Sequence, residues 1–170
     1  MMDSRILVQN QNLKNLNFFL TDMIRLLISE ILQKAHNAKT KQEKIKILRD
    51  NETAALKKLL IWNFDPNIKS CIPEGEVPYT KNDAPMGTEH TRLEQQDRLF
   101  HNFVEGGNND ISNTKKELMF IQILEGVHES EAEVLCLVKD KELGKKYRIT
   151  QNVVAEAFPT IVWGINRSTN

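Results

Sequence analysis

Apolar residues recur at three- and four-residue intervals along most of the chain, and this spacing places them on one face of an α-helix. The first series predicts an amphipathic helix over about residues 14–37. Its apolar positions are Leu16, Leu20, Ile24, Leu27, Ile31 and Ala35. The same spacing returns in several later segments, so helices are the main elements that the pattern predicts.

Capping side chains predict where the next two helices begin. Thr40 is followed three positions later by Glu43, and this pair is typical of a capping box, in which each side chain binds a free amide at the helix start. A second helix is therefore expected over about residues 41–50. Asn51 or Thr53 can cap a third helix, with Leu56, Leu59 and Leu60 facing inward and Trp62 and Phe64 close to its end.

Four later helices are predicted in the same way. Their expected starts are, in chain order, Thr88, Ser112, a second capping box of Ser130 with Glu133, and Thr150. Gly106 and Gly107 are expected to stop the fourth helix, Gly144 the sixth and Pro159 the last. The sixth helix is apolar nearly all round, which is typical of a central buried helix.

A long loop is predicted between the third and fourth helices, from Asp65 to Gly87, because four prolines interrupt any helix there. These are Pro66, Pro73, Pro78 and Pro85. The loop also carries Ile68, Ile72, Val77 and Tyr79, so we expect it to pack on the helices. A strand pattern is suggested only at Thr160–Trp163.

These patterns together predict an all-α fold: a single compact bundle of about six or seven helices with a long Pro-rich loop. We divide the chain into an N-terminal extension, 1–22, a helical domain, 23–164, and a C-terminal tail, 165–170. No uninterrupted run of about 20 apolar residues is present, so no membrane partner is expected.

Composition narrows the classes of function. Lys and Arg number 23 and Asp and Glu number 23, so the net charge is zero and any affinity for nucleic acid must come from local patches. Cys71 and Cys136 are far apart in sequence and match neither a disulfide scaffold nor a zinc spacing. A reducing, cytoplasmic location follows from that usage.

Catalytic and ligand-binding motifs are absent from the sequence. It has no nucleophile elbow, phosphate-binding loop, dinucleotide fingerprint or zinc-protease motif. His90 has a carboxylate at helical spacing, Glu94, whereas a metal site needs three or four ligands. We therefore expect a protein that is not an enzyme, with no catalytic residue, metal, cofactor or small-molecule substrate.

Basic residues form two clusters at predicted helix ends and turns, where backbone amides and lysines together can bind phosphate. The first comprises Lys34, Lys39, Lys41, Lys44, Lys46 and Arg49. The second surrounds Gly144 and comprises Lys139, Lys141, Lys145, Lys146 and Arg148. The alternative is that these lysines only solvate exposed faces, since acidic residues are interspersed.

Two segments resemble the N-terminal α-helical DNA-binding domain of the ATP-dependent DNA ligase of T-even-type phages. The first is ISEILQKAHNAKTKQEKIKILRDNETAALKKLLIWNF, with its Thr-Lys-Gln turn and Lys-rich helix. The second is EAEVLCLVKDKELGKKYRITQNVVAEAFPTI, where a buried helix leads to Leu-Gly and a last helix ends in Phe-Pro. The segment from about Leu26 to Gly164 also resembles an uncharacterised family of T-even-like phages of marine bacteria.

The ligase resemblance implies DNA contacts but not ligation. In that family the helical domain grips duplex DNA across the minor groove, mainly through phosphates. Transferred position by position and with the neighbouring cations, the implied DNA-binding residues are Thr40, Lys41, Lys44, Gly107, Asn108, Gly144, Lys145, Lys146 and Arg148. The nucleophilic lysine motif K-x-D-G is lacking, because the nearest string, Lys81-Asn82-Asp83-Ala84, has no glycine and lies in the loop.

The leading hypothesis is a non-catalytic phage module that binds duplex or nicked DNA without sequence preference, in replication, repair or recombination. Its expected partners are that DNA and a phage replication or repair protein, in the cytoplasm of an infected bacterium. The alternative is a protein-interaction or virion-associated helical module without DNA binding, using the Pro-rich loop with Trp62, Phe64 and Tyr79 together with the N-terminal amphipathic helix. Basic turns that converge on one face would favour DNA.

Overall fold

The computed structural model describes residues 25–85 and 91–164. Within these residues the regular elements are all helical, which confirms the all-α prediction. The helices are α1 (Ile28–Asn37), α2 (Lys41–Asp50), α3 (Ala54–Phe64), a 3₁₀ helix (Leu93–Phe103), α4 (Asn113–Gly126), α5 (Glu129–Lys139), α6 (Leu143–Lys146) and α7 (Gln151–Ala157). The short α6 is the element that the sequence did not predict.

The first helix begins later than predicted. A continuous helix over 14–37 is wrong, because residues 25–27 are not helical and Leu27 is extended (φ −64°, ψ 153°). The amide of Ile28 instead donates to the buried carboxylate of Glu131, 3.0 Å away, which fixes the start of α1 against α5. The earlier part of the predicted helix lies outside the described residues.

Most of the predicted caps are confirmed. Thr40 and Glu43 form the expected capping box at α2, and Thr53 rather than Asn51 caps α3. Ser112 caps α4 and Thr150 caps α7 in the predicted manner. The cap predicted at Thr88 lies outside the described residues.

The second capping box, Ser130 with Glu133, is wrong. Helix α5 begins two residues earlier than that box requires, at Glu129 rather than Glu131, and His128 is its cap. The Nδ1 atom of His128 accepts from the Ser130 amide at 3.1 Å. The imidazole therefore caps the start of the helix, which is the role expected of the serine hydroxyl. The Ser130 hydroxyl hydrogen-bonds to the Ser29 hydroxyl of α1, 2.8 Å away.

Helix α5 is the centre of the bundle, as its apolar surface predicted. It packs against α1, α3, α4 and α6, while α2 packs between α1 and α7. The 3₁₀ helix packs against α3 and α4, and its Phe100 and Phe103 rings contact the Trp62 ring with centroids 6.3 Å away in each case. Phe120 of α4 closes this aromatic cluster edge-on to Phe103.

The Pro-rich loop packs on the helices, as expected. Ile72 is buried in the core, and Ile68, Val77 and Tyr79 pack against it. The strand suggested at Thr160–Trp163 is wrong, because this segment consists of turns and irregular backbone. An isolated bridge between Ser70 and Val104 is the strand-like pairing found in the described ranges.

The end of the sixth predicted helix also differs from expectation. Helix α5 ends at Lys139 rather than at Gly144, and the left-handed residue that follows is Lys141, with φ +57°. Gly144 lies inside the helical turn α6. The Lys141 side chain donates to the Asp65 carbonyl, and this bond holds the left-handed turn where a glycine would usually be found.

Candidate nucleic-acid interface

Two basic segments that are about 100 positions apart in sequence meet on one side of the bundle. The Lys44 ammonium of α2 donates to the Arg148 carbonyl. The Arg148 amide in turn donates to Nδ1 of His36 at the end of α1, 3.0 Å away. These contacting residues, Thr40 and the other cations of the first basic cluster are together named here the α2 face: Lys34, His36, Lys39, Thr40, Lys41, Lys44, Lys46, Arg49 and Arg148.

Arg49 fixes α7 to this face. Its Nε atom donates to the Ala157 carbonyl at 3.0 Å, and its Nη2 atom donates to the Glu156 carbonyl at 2.6 Å. These carbonyls belong to the last turn of α7, which lacks helical donors for them, so the guanidinium satisfies a helix end. Arg49 is therefore structural although it is exposed, and its charge remains on the α2 face.

Three cations of the α2 face have neither an ion pair nor a side-chain hydrogen bond within the described residues. Lys34, Lys39 and Arg148 are exposed, and their side chains have no acidic partner there. Lys41 and Lys46 do have partners, because Lys41 lies 2.5 Å from Glu156 and Lys46 lies 2.7 Å from Asp50. Unpaired surface ammonium and guanidinium groups are free to bind a phosphate oxygen without first breaking an internal contact.

Positive charge in the neutral chain is concentrated in two segments, residues 28–50 and 140–158, while the residues between them are acidic. Residues 28–50 carry six cations and three acids, and residues 140–158 carry four cations and three acids, which gives a net +4. The intervening residues 51–139 carry nine cations and fifteen acids, a net −6. A molecule with no net charge can therefore present a local positive field at the α2 face.

The amides at the start of α2 are already bound inside the protein. The Glu43 carboxylate accepts from the Lys39 amide at 3.0 Å and the Thr40 amide at 3.4 Å. The Thr40 hydroxyl accepts from the Glu43 amide at 3.2 Å. The Glu43 carboxylate thus occupies the position at the helix start where a phosphate would bind. The lysine side chains are therefore the main groups of α2 that can bind an anion.

The segment around Gly144 is less suited to phosphate than its sequence suggests. The amides of Glu142, Leu143, Lys145 and Tyr147 all donate to acceptors within the protein. Lys145 and Lys146 are paired with Glu142 and Glu133, at 2.6 and 2.5 Å respectively. The bond to Glu142 raises the pKa of Lys145, and the negative charges of Glu74 and Asp140 act in the same direction. These two lysines therefore lie in acidic surroundings.

Gly107 and Asn108 make their contacts elsewhere, at the end of the 3₁₀ helix. The Gly107 amide donates to the Val104 carbonyl at 3.1 Å, and Asn108 donates to the Asn102 side chain at 2.8 Å. A methyl group on Gly107 would lie 1.8 Å from the His101 carbonyl oxygen, so the glycine is required sterically. Helix packing explains both residues without a ligand.

Two lysines of the second basic cluster face inward. Lys139 is completely buried and its ammonium donates to the Pro73 and Gly75 carbonyls and to Asp140. Lys141 is half-buried, and burial lowers its pKa. Of the five cations in that cluster, Arg148 is the one that joins the α2 face.

The surface expected for the alternative, protein-interaction reading is changed by the fold. Trp62 is buried, and its indole N–H donates to the Ser70 hydroxyl at 2.8 Å, so it is not available to a partner. Phe64 and Tyr79 are half-buried against the core. Leu118 and Val162 are the large apolar side chains that the described residues expose.

Within the part of the chain that the structure describes, the thiols and acidic side chains give no second site. Burial raises the pKa of Cys136 to about 11 and also raises the pKa of Cys71, so both stay protonated at neutral pH. Across residues 25–85 and 91–164, no group of three His, Cys, Asp or Glu side chains is placed to hold a metal ion. The helices in these ranges include none long and apolar enough to cross a membrane.

The described residues form an all-α protein in which cations of α1 and α2 lie close to Arg148. The chain belongs to a family of unknown function, DUF6433, whose model matches residues 31–145 of its 170 residues. No curated protein and no solved structure matches the chain. The sequence had identified the lysines of the α2 face. It had not identified His36 or Glu156 as neighbours of these lysines, because neither has a motif that marks it.

Proposed function

We propose that this protein is a non-catalytic module that binds the backbone of duplex or nicked DNA through the α2 face, without sequence preference. The observation that carries the proposal is the meeting of two distant basic segments through Lys44, Arg148 and His36. Convergence of cations on one side of a neutral molecule is the arrangement expected for phosphate contacts, which supply most non-specific affinity. The proposed role in phage replication, repair or recombination rests on the resemblance to the ligase domain.

The predicted DNA-binding residues divide into stronger and weaker candidates on physical grounds. Lys41, Lys44 and Arg148 lie on the α2 face, and Lys34 and Lys39 join them there as unpaired cations. Thr40 can contribute through its hydroxyl hydrogen, since its oxygen already accepts from Glu43. The turn that contains Gly144, Lys145 and Lys146 contributes less, because its charges are neutralised by neighbouring acids. Gly107 and Asn108 are expected to act through packing.

The experiment is fluorescence anisotropy with intact duplex, nicked duplex and single-stranded DNA at about 50 and about 200 mM salt. The key variant is Lys34→Glu/Lys39→Glu/Arg148→Glu, which reverses three charges that make no described ion pair. The matched control is Lys69→Glu/Arg98→Glu/Lys115→Glu, which reverses three exposed, unpaired cations in the acidic part of the chain. Both variants carry the same net charge.

The α2 face variant is expected to lose at least about tenfold in affinity, and its salt slope should fall by up to about 2.7, at 0.9 for each phosphate contact removed. The control should change affinity far less. Equal losses in the two variants would show that net charge rather than the α2 face decides binding. Wild-type protein that binds none of the three DNAs at the lower salt would remove DNA as the ligand and favour a protein partner.

A further inference from the structure

The α2 face contains one carboxylate that competes directly for its lysines from a neighbouring helix. Glu156 is the only charged residue of α7, and its Oε1 atom lies 2.5 Å from the Lys41 ammonium. Both side chains are about half exposed. The backbone carbonyl of the same residue is held by Arg49, so the position of Glu156 on the α2 face is fixed by the fold.

The acids of α2 itself have roles that Glu156 does not share. Glu43 binds two backbone amides as part of the capping box, and its removal would disturb the start of α2. Asp50 pairs with Lys46 one turn away on the same helix, which is an ordinary i,i+4 contact. The Glu156 carboxylate has no hydrogen-bond donor other than Lys41 among the described residues. It is therefore not required to satisfy any backbone group.

From this arrangement we infer that Glu156 limits the affinity of the α2 face for DNA by holding Lys41 away from phosphate. This inference rests on the proposed function and assigns to Glu156 the role of lowering the affinity for DNA. DNA that approaches the α2 face must displace the carboxylate from Lys41 and also meets its negative charge. An exposed pair of this kind is weak, so displacement is possible, and the carboxylate lowers affinity rather than preventing binding.

Glu156→Gln is the variant that tests the inference, because it removes the charge and keeps the size of the side chain. We expect about a two- to fivefold lower Kd for duplex DNA, the range that the strength of an exposed ion pair allows. The salt slope should steepen by up to about 0.9, since Lys41 then becomes available to one more phosphate. Anisotropy titrations at the two salt concentrations measure both quantities.

Two controls separate this local effect from a change in net charge. Glu129→Gln removes one charge from a comparably exposed pair, Lys81–Glu129 at 2.7 Å, in the acidic part of the chain. It should change the Kd less than Glu156→Gln does. In a Lys41→Met background, Glu156→Gln should lose most of its effect, because the lysine that it releases is gone.

The outcomes distinguish this inference from the proposed function. If wild-type protein binds DNA and Glu156→Gln is no tighter than Glu129→Gln, the inference is wrong while the DNA-binding function stands. If Glu156→Gln binds DNA that the wild type and Glu129→Gln do not, the inference is supported. If neither the wild type nor any variant binds at low salt, the function and the inference fail together.

Discussion

Lys41 on the α2 face and Lys139 beside the Pro-rich loop come from equally basic stretches of sequence, yet the fold gives them opposite roles. Lys41 keeps about half of its side chain in solvent and pairs with one exposed acid. Lys139 is completely buried and ties two carbonyls of the loop and the Asp140 carboxylate to the end of α5. The first lysine is half in solvent in an exposed ion pair, whereas the second stabilises the fold.

The same contrast extends to the acids. On the loop side, Asp65 is buried, and its carboxylate accepts from the amides of Asn67 and Gly164, each at 3.0 Å. Glu131 is also buried and accepts from the first amides of α1 and the 3₁₀ helix. Asp50 and Glu156, next to the α2 face, are instead exposed and each binds a lysine. The two buried carboxylates therefore hold backbone segments in place, whereas Asp50 and Glu156 only pair with exposed side chains.

The largest effect is expected for Lys139→Met. Removing the ammonium leaves a mostly buried Asp140 carboxylate and two loop carbonyls without their donor, which should lower the free energy of unfolding by about 3–5 kcal/mol. Urea unfolding followed by circular dichroism measures this loss. Lys145→Met, on the exposed side, is the matched control and should unfold like the wild type. Equal stability of the two variants would contradict the contrast between buried and exposed lysines.

Gly107→Ala is the next largest change. The added methyl group would lie 1.8 Å from the His101 carbonyl oxygen, so the end of the 3₁₀ helix must move, at a cost of about 1–3 kcal/mol. The same unfolding experiment applies, and DNA affinity should be measured on protein that is still folded. If the variant were as stable as the wild type but bound DNA weakly, Gly107 would be a contact residue, as the ligase resemblance implies, rather than a packing residue.

Thr40→Ala tests the capping box on the α2 face. The variant loses the acceptor for the Glu43 amide and should cost about 1 kcal/mol of stability, whereas Thr40→Ser keeps that acceptor and should cost less. Comparing the thermal midpoints of the two variants measures the cap. Comparing their DNA affinities then tests whether the hydroxyl also contacts phosphate. If it does, Thr40→Ser should bind DNA like the wild type and Thr40→Ala should bind more weakly. Identical midpoints in the two variants would show that the cap contributes nothing.

Local rules in the sequence were sufficient for much of the fold. The caps at Thr40, Ser112 and Thr150 depend on contacts three residues apart, and such contacts are visible in a sequence. The end of α5 was mispredicted because the left-handed residue is Lys141, stabilised by Asp65, which is 76 positions away. The rule that a glycine marks the end of a helix cannot predict a contact between residues so far apart in sequence.

The candidate site was predictable only in part, for the same reason. The cations at Lys41 and Lys44 were evident as a cluster, but their neighbours on the α2 face come from α7 and from the segment before it. Whether a lysine is exposed, paired or buried depends on tertiary packing, and the sequence gives all eleven clustered cations the same appearance. The buried Lys139 shows how misleading that appearance can be.

Gly144→Ala is expected to have the smallest effect, and it tests one of the two segments that carry the ligase resemblance. The φ angle of Gly144 lies outside the left-handed region, and a methyl group there would contact only the Ile149 carbonyl oxygen at an ordinary 3.7 Å. Because alanine loses less backbone entropy on folding, the variant should gain up to about 1 kcal/mol of stability. Its Kd for duplex DNA should match that of the wild type. A folded Gly144→Ala variant that bound DNA several-fold more weakly would mean that the backbone at this turn approaches phosphate closely. That result would move the interface from the α2 face to the turn, despite the acids that surround Lys145 and Lys146.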